Sequence, residues 1–527
     1  MWRSLLERHW WALPTLSGLL LVLSFHPFNI WPLCFVALVP LYYMVLAYKG
    51  SYWQVWWGGF VTGSLFALSL SYFTVTQFQW VPEAYLFTAL VHLSFIPIAL
   101  VGGLLCGASC VIFRLLSNDS FLLTSLLGAA AYTLSEMLLY AVSGGYYFAM
   151  LAYAATPVVP LMDIAAFGGA FGVSFAIALV NSFLALMLVH VPARGLGSLY
   201  RGALGFLGVV VVAAAGYSYL HSGPPPTQNF AVAIIQASSR DAVDFGAEQG
   251  DVFSSPALQA LLLQAAEGHP DLVVYPFSLV EGALYAGEKP QLNKSVLVAS
   301  EESVGTWLGS FMPASSTVMT WSTLYEDGAF LNDFEFWQDG VLAARYQKRK
   351  LFPFIDYTPL WAQRLGFYST SVDTVPGEEG DGLVHFGNAV ATGILCSEIH
   401  MQPLARAAAF DSQFLLSAGS EAIFTDSVAS NFSLKAAQLR AAENGMPAIR
   451  ANLLGPSGII AADGSFIAWM DAGESGVLRG AAPLSEPRPT FFSRWGNAPV
   501  ALLLFFIGAA ALARRYKNWH YGRYARK

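Results

Sequence analysis

The charged side chains of this 527-residue chain are distributed so unevenly that the chain must fold in two different solvents. Residues 222–497 hold 29 of the 34 Asp and Glu side chains, whereas residues 1–221 hold five and residues 498–527 hold none. Only 12% of all residues are charged, against about 25% in an average globular protein. The pattern predicts a transmembrane bundle at 1–221, a water-soluble domain at 222–497, and a last span with a basic tail at 498–527.

Eight apolar stretches approach the roughly 20 residues that a transmembrane helix needs. They lie at about 9–25, 31–48, 55–75, 86–114, 121–141, 161–190, 203–220 and 498–514. The Lys and Arg residues of the short loops all fall on one side of these spans, and the loops 76–85 and 142–160 contain neither. The positive-inside rule then places both termini in the cytoplasm and residues 222–497 outside it.

Four polar side chains lie at membrane depth in this arrangement: His92, Glu136, Asp163 and Asn181. Ionisable residues inside a membrane are functional candidates by default. The alternative is that each one faces the bundle interior or the interface and holds helices together. We favour that structural role, because Glu136 and Asp163 fall near the ends of predicted spans, where burying a polar group costs less.

Strand and helix patterns alternate through 222–497, which predicts an α/β domain with helices covering its sheets. Buried strands are expected at 230–236, 271–275, 390–395 and 414–417, with helices at 255–267, 401–409 and 430–445. The excess of acidic side chains in this domain argues against nucleic acid as a partner. We expect neither a metal nor a cofactor, because the histidines are scattered without ligand spacing.

Cys396 is the one cysteine of 222–497, and it directly follows the predicted strand at 390–395. An α/β enzyme can place a nucleophile at such a strand end, here with Glu398 two residues on. The other interpretation is a buried structural cysteine, since free cysteines are among the most buried residues. A single cysteine in this domain does not indicate a disulfide framework.

Two further motifs accompany Cys396. Lys348 follows a predicted strand and precedes a proline-rich loop, so its ammonium could stabilise an oxyanion and lower the pKa of a nearby thiol. Three consecutive bases are, however, more often a solvated cluster. The segment 427–450 contains Arg440, Glu443 and Arg450, and by itself we interpret it as an ordinary amphipathic helix with paired charges.

These motifs together resemble the apolipoprotein N-acyltransferase family. The resemblance covers nearly the whole chain. It is carried by Gly172-Val173-Ser174-Phe175, Tyr346-x-Lys348-x-x-Leu351-x-Pro353-Phe354-x-Asp356-Tyr357-x-Pro359, Cys396-x-Glu398, Arg440-Ala441-x-Glu443 and Arg450-x-Asn452. It implies a membrane α-helical bundle of about eight spans and an extracytoplasmic, nitrilase-like (carbon-nitrogen hydrolase) αββα sandwich, in a multi-pass protein of the bacterial inner membrane whose soluble domain is periplasmic.

The resemblance also implies a reaction. Cys396 would take an acyl chain from a phospholipid as a thioester and pass it to the amino group of a lipoprotein's N-terminal diacylglyceryl-cysteine. Lys348 would stabilise the oxyanion and Glu398 would be a supporting acid. The implied partners are the phospholipid donor, the lipoprotein acceptor and the bilayer, with the protein acting as a monomer.

The chain departs from the family at the general base. A glutamate is expected directly after the strand at 271–276, and Phe277 stands there instead. Glu281 or Asp356 is the candidate for a substitute base. Two alternatives to lipoprotein N-acylation follow: an amidase or acyltransferase of the same fold with another substrate, and a non-catalytic homologue that binds lipid or lipoprotein.

Overall fold

Two separately packed units make up the chain in a computed structural model. The structure describes residues 9–75, 85–147, 149–194, 226–236, 256–276, 283–286, 297–366, 373–378, 380, 382–420 and 428–524. One unit comprises Met1–Thr76, Ala89–Gly223 and Arg494–Lys527, and the other comprises Gln77–Thr88 and Pro224–Ser493.

Apolar helices form the first unit. Those of its N-terminal part are α1 (Ala12–Ser24), a 3₁₀ turn (Trp31–Phe35), α2 (Val39–Ala47), α3 (Tyr52–Val75), α4 (Tyr85–Leu116), α5 (Phe121–Val142), α6 (Leu151–Ala154) and α7 (Val159–Arg194). The C-terminal helix, Ala498–Tyr524, also belongs to this unit, and its Val500 side chain approaches Gly168 of α7.

Helices occur at seven of the eight predicted spans, and the span predicted at 203–220 lies outside the described residues. Within the part of the chain that the structure describes, four helices are both long and apolar enough to cross a membrane: Ile96–Leu116, Phe121–Val142, Val159–His190 and Ala498–Trp519. The total of eight spans and their direction across the membrane stay predictions.

Glycines bring α3 and α4 into backbone contact. A Cβ atom added at Gly63 would lie 2.6 Å from the Gly102 carbonyl oxygen, and one added at Gly59 would lie 2.6 Å from the Cys106 carbonyl oxygen. In lipid, helices associate through close packing rather than through the hydrophobic effect, so small residues mark the contact. The two helices are therefore held at a separation that no larger side chain permits.

Asn181 ties α7 to the hairpin formed by the 3₁₀ turn and α2. Its Nδ2 donates to the Cys34 carbonyl at 2.8 Å, and its Oδ1 accepts from the Leu38 backbone N–H at 2.8 Å. Glu136 connects two helices in a similar way. Its Oε1 accepts a hydrogen bond from the backbone N–H of Leu151 at 2.8 Å, which gives the first N–H group of α6 an acceptor. The structural interpretation is confirmed for both residues, whereas the His92 side chain lies outside the described part of the structure.

The second unit contains two β-sheets. Its strands are β1 (Gln228–Gln236), β2 (Leu272–Val274), β3 (Ala283–Tyr285), β4 (Leu297–Ser300), β5 (Thr317–Glu326), β6 (Ala329–Gln338), β7 (Val341–Gln347), β8 (Leu383–Phe386), β9 (Ala389–Leu395), β10 (Phe414–Ser420), β11 (Ala448–Leu453), β12 (Ser457–Ile460), β13 (Phe466–Met470) and β14 (Gly476–Leu484). Eight strands form the first sheet. Six of them follow the order β14-β1-β2-β5-β3-β4, and β6 pairs with β5 and β7 with β6. The other six strands form the second sheet in the order β13-β12-β11-β10-β9-β8.

Four helices cover the outer faces of these sheets: α8 (Pro256–Ala266), α9 (Glu301–Gly309), α11 (Gln402–Ala407) and α12 (Val428–Asn444). The short helices α10 (Leu360–Arg364) and α13 (Phe491–Trp495) complete the described helices of this part of the chain. Strand β1 shows why both faces must be covered, because Phe230, Val232 and Ile234 enter the core between the sheets while Ala233 and Ile235 pack under α8 and α9. This near-continuous apolar pattern is typical of a strand that is buried on both sides. The predicted αββα sandwich is confirmed.

An acidic cluster lies between α9 and the outer face of the eight-stranded sheet. Burial raises the pKa of Asp333 to about 7 and that of Glu335 to about 8. Ser322 Oγ donates to Glu335 Oε1 at 2.6 Å, and the Arg345 guanidinium is shared between Glu301 and Glu326. At mildly acidic pH, Asp333 and Glu335 are therefore protonated in the folded protein.

We predict that Gly63→Val destabilises the first unit, because the branched side chain must push α4 away and overpacking of this kind costs about 1–3 kcal/mol. The thermal midpoint of the detergent-solubilised protein measures the loss. Gly508→Val on the C-terminal helix is the matched control, since a Cβ there meets nothing within 4 Å. Equal midpoints for the two variants would contradict the close contact between α3 and α4.

The acidic cluster predicts that stability falls as pH rises. Unfolded Asp and Glu titrate near pH 4, so between about pH 4 and pH 8 the folded state binds more protons than the unfolded state. In that range, each carboxyl whose pKa is raised lowers the free energy of unfolding by up to about 1.4 kcal/mol per pH unit. Glu335→Gln should flatten the dependence of the thermal midpoint on pH and stabilise the protein at pH 8. Glu302→Gln, at an exposed acid of α9, should leave the dependence unchanged. A parent-like slope in Glu335→Gln would refute the burial of a protonated Glu335.

Candidate active site

Cys396 occupies a sharp turn at the end of β9. The strand ends at Leu395, and a 3₁₀ turn covers Cys396–His400. The φ angle of Cys396 is +52°, in the left-handed region that side chains rarely adopt and that costs about 1–3 kcal/mol. The side chain is half-buried, so it is accessible as well as fixed. The predicted position of Cys396 directly after a strand is confirmed.

Glu398 is completely buried and accepts four hydrogen bonds. Its Oε1 accepts from the backbone N–H groups of Arg349 and Lys350, each at 2.8 Å. Its Oε2 accepts from the Tyr346 hydroxyl at 2.6 Å and from the Leu395 N–H at 2.8 Å. Each oxygen of this carboxylate therefore receives two donors, so the side chain fixes the position of the backbone around it.

Lys348 is paired with a buried carboxylate. Its side chain is 1% exposed, and Nζ lies 2.5 Å from Asp356 Oδ2. Asp356 also accepts from Asn332 Nδ2 at 2.8 Å and from the Phe352 N–H at 2.6 Å. The side-chain nitrogen of Lys348 is thus held in one position and shielded from water. The interpretation of 348–350 as a solvated basic cluster is wrong for Lys348 and Arg349, which are buried, and correct for Lys350.

Tyr346 and Arg349 connect the two sides of this site. The Arg349 Nε donates to the Tyr346 hydroxyl at 3.2 Å, and its Nη1 donates to the Gly380 carbonyl at 2.6 Å. Burial and the nearby negative charge of Glu398 raise the pKa of Tyr346 well above its usual range. The hydroxyl therefore stays protonated and remains a donor to Glu398.

The closing helix and strand contribute buried charges. Arg440 on α12 forms an ion pair with Glu443, with Nε 2.8 Å from Oε2, and both side chains are 0% exposed. Arg450 on β11 is equally buried. The expected helix with paired charges is present, and its Arg440–Glu443 pair is buried in the domain instead of lying in water.

Some residues considered in the sequence lie outside the described part of the structure: Phe277, Glu281 and Ser427. Of the predicted site residues that are described, the structure brings Lys348 and Asp356 into direct contact, and it links the neighbours of Lys348 to Glu398 in the turn of Cys396.

Asn332 is a site residue that sequence reasoning missed. It lies on the same face of β6 as the core residues Phe334 and Phe336, so the signal was a polar side chain at a core-facing position of an alternating strand. Gly419 was also missed. A Cβ at this position of β10 would lie 3.1 Å from Cys396 Cα, so the turn can pack only against glycine.

Two family models match the chain. The model described as apolipoprotein N-acyltransferase N-terminal domain matches residues 17–183, and the model described as carbon-nitrogen hydrolase matches residues 316–490. Among solved structures, the chain is similar to an amidase from Nesterenkonia sp. at 16% identity, with 53% of this chain and 98% of that one covered and a TM-score of 0.35.

Curated relatives match over almost the full length. An apolipoprotein N-acyltransferase of Geobacter metallireducens is 27% identical over 536 residues, which covers 98% of this chain and 97% of the relative. One of Pseudomonas aeruginosa strain LESB58 is 26% identical over 514 residues, with 93% and 94% covered.

We predict that Glu398→Gln destabilises the second unit more than Tyr346→Phe does. The amide NH₂ cannot accept, so it leaves buried donors without an acceptor at about 1–3 kcal/mol each, whereas Tyr346→Phe removes one donor of four. Thermal midpoints of the two variants test this order. Glu486→Gln, at an exposed acid, is the control. A Glu398→Gln midpoint equal to the control would show that the buried carboxylate is not what holds the turn.

Proposed function

The chain belongs to the apolipoprotein N-acyltransferase family, and from that premise we propose that it N-acylates the diacylglyceryl-cysteine at the N-terminus of bacterial lipoproteins, with a phospholipid as acyl donor. The observation that carries the proposal is the link made by Glu398. It fixes the turn of Cys396 to the loop of Lys348, so a nucleophile and a cation belong to one rigid site.

The first half-reaction forms a thioester on Cys396. The thiolate attacks the carbonyl carbon of the sn-1 ester, a C–S bond forms, and the carbonyl oxygen becomes an oxyanion. Lys348 stabilises that oxyanion, since a fixed cation in a water-poor site is worth far more than one in water. The ester C–O bond then breaks, and the lysophospholipid leaves after its alkoxide gains a proton.

The second half-reaction releases the enzyme. The neutral amino group of the acceptor attacks the thioester carbonyl, an amide N–C bond forms, and the C–S bond breaks. The amine loses one proton and Cys396 returns as the thiolate. Covalent catalysis suits this task because it lets two lipid substrates use one site in turn.

Asp356 and Glu398 are positioning residues in this mechanism. Asp356 holds the Lys348 ammonium in place at 2.5 Å, and Glu398 holds the backbone on both sides of the site. As found, both carboxylates are fully engaged with donors. We therefore assign neither of them the role of general base, and Asp356 serves as the counter-ion of Lys348.

Both substrates are lipids, so the site must be reached from a bilayer. The apolar helices of the first unit support a membrane location. We propose an inner-membrane protein with cytoplasmic termini, a periplasmic second unit and a monomeric active form, as loop charge predicts.

The proposal predicts a fatty-acyl adduct on Cys396. Purified protein in detergent is incubated with phosphatidylethanolamine, and the tryptic peptide that contains Cys396 is examined by mass spectrometry. The expected adduct is absent in Cys396→Ala and reduced at least about 10²-fold in rate in Lys348→Met, the range for loss of one oxyanion donor. Adding a peptide with an N-terminal diacylglyceryl-cysteine should discharge the adduct and acylate the peptide.

Lys350→Met is the matched control, because its side chain is exposed while its backbone N–H still binds Glu398. Adduct formation in this variant should match the parent. An intact lipid-binding protein without any adduct would favour a non-catalytic homologue, and release of ammonia from small amides would favour an amidase. An adduct that the lipopeptide does not discharge would refute the proposed acceptor.

A further inference from the structure

The segment that leads into the last membrane helix is hydrogen-bonded to the end of α12. Thr490 directly precedes α13, and its Oγ1 accepts from the Ser493 backbone N–H at 3.0 Å, which caps the start of that helix. The same hydroxyl donates to the carbonyl of Glu443 in the last turn of α12. The last carbonyls of a helix have no partner within the helix, so Thr490 supplies a donor from outside it.

Ser493 adds two further bonds from the same segment. Its Oγ donates to Asn444 Oδ1 at 3.1 Å, and its carbonyl accepts from Arg406 Nε of α11 at 2.9 Å. Asn444 in turn donates from Nδ2 to the Arg440 carbonyl at 2.9 Å. The side chains of Thr490 and Ser493 are buried, so water does not compete for these bonds.

Gly445 allows the two segments to come this close. It follows the last residue of α12 with a φ angle of +65°, in the left-handed region that favours glycine. A Cβ added at Gly445 would lie 2.9 Å from Thr490 Cγ2. Both the backbone angle and the available space therefore require glycine here, and a larger residue would push Thr490 away from the Glu443 carbonyl.

Helix α12 extends these bonds to the turn of the nucleophile. The Glu443 side chain pairs with Arg440, with Nε 2.8 Å from Oε2, and its Oε1 accepts from Gln402 Nε2 at 2.7 Å. Arg440 Nη1 donates to the carbonyl of His400 at 3.4 Å. His400 is the last residue of the turn that begins at Cys396, and Gln402 is the first residue of α11 after it. The C-terminal side of the turn is thus held by α12.

One buried network therefore runs from residues 490–493 to the turn of Cys396. The chain leaves the second unit at Ser493 and continues to the C-terminal membrane helix, Ala498–Tyr524. The segment leading into that helix and the turn of the nucleophile are consequently parts of the same hydrogen-bonded group. The mechanism above uses neither Thr490 nor Ser493.

We propose that Thr490 and Ser493 are positioning residues that set the geometry of the Cys396 turn through α12, so that the segment leading into the last membrane helix orients the nucleophile. This inference rests on the proposed function and deepens it. The turn needs such support, because Cys396 has a φ angle of +52° and a conformation of this kind persists only when the surrounding structure holds it.

The test compares Thr490→Val with the parent in the acyl-adduct assay with phosphatidylethanolamine. The variant keeps the shape of the side chain and loses the hydroxyl that bonds to Glu443 and Ser493. The maximal rate of adduct formation should fall at least about tenfold, since a misplacement of about 1 Å can cost 10²-fold. The phospholipid concentration at half-maximal rate should stay parent-like, because the change acts on the turn and not on lipid binding. Thr490→Ser, which keeps the hydroxyl, should restore most of the rate.

Ser316→Ala is the matched control. The Ser316 hydroxyl is also buried, and it donates to the Pro270 carbonyl at 2.6 Å, so this variant loses a comparable bond. Ser316 precedes the end of β5 that pairs with Gln338, whereas the site follows the end of β7 that pairs with Asp333. Adduct formation in Ser316→Ala should match the parent.

Hydrogen exchange of the backbone amides in a peptide covering 396–404 gives a second measurement that needs no substrate. Amides of a loosened turn open more often, so Thr490→Val should exchange at least about tenfold faster there than the parent, and Ser316→Ala should not. If Thr490→Val does not fold, Ser493→Ala replaces it, because it loses only the hydroxyl that bonds to Asn444. Its adduct rate should then fall about threefold, and exchange should rise by the same factor.

A parent-like maximal rate in Thr490→Val, or in Ser493→Ala where Thr490→Val does not fold, overturns this inference. An equal fall in Ser316→Ala, or a Thr490→Ser variant as slow as Thr490→Val, also overturns it. A parent that forms no adduct refutes the proposed function, and exchange alone then decides. Faster exchange at 396–404 in Thr490→Val would support the hold of the network on the turn, and parent-like exchange would refute it.

Discussion

Two chain segments that no strand pairing joins are held together by the carboxylate of Glu398. Strand β7 belongs to the eight-stranded sheet and β9 to the six-stranded sheet, and the residues of the site follow the ends of both. Three of the four donors to Glu398 come from β7 and the loop after it, namely the Tyr346 hydroxyl and the backbone N–H groups of Arg349 and Lys350. The fourth is the backbone N–H of Leu395 at the end of β9. This arrangement gives all four buried donors an acceptor, and each donor left unpaired would cost about 1–3 kcal/mol.

The chemistry of the site follows from that constraint. In the proposed mechanism Glu398, whose two oxygens are both occupied by donors, fixes geometry instead of moving protons. Asp356 is likewise occupied by Lys348, Asn332 and a backbone N–H. The described part of the site thus holds Lys348 and Arg349 in fixed, buried positions and Cys396 on a turn with a positive φ angle. Under the proposed function, these cations would favour a thiolate nucleophile and a negatively charged intermediate.

Much of this arrangement was predictable from sequence. The distribution of charge predicted a membrane bundle and a separate α/β domain, and the apolar runs at 230–236 and 414–417 predicted β1 and β10. Short elements were not predicted: β3, β4 and β8 have three or four residues each, too few for a periodic pattern. The burial of Arg440 and Arg450 was also missed, because a helix or strand with charged residues looks solvated until its partners across the fold are known.

In the site, too, sequence indicated which residues matter but not which contacts they make. Cys396, Lys348 and Glu398 were found from their positions after strands, whereas their roles depend on contacts between distant segments. Glu398 binds the backbone of residues some 50 positions away, and Gly419 matters only because the turn of Cys396 packs on it. No local pattern encodes such contacts.

The most direct test of this account is the distance between Cys396 Sγ and Lys348 Nζ in experimental structures of the parent and of Glu398→Ala. We expect a separation in the parent of about 6 Å or less, the range in which a cation stabilises a thiolate, and a longer, variable separation in the variant. A parent distance well beyond that range, or an equally short distance without the Glu398 carboxylate, would contradict the account.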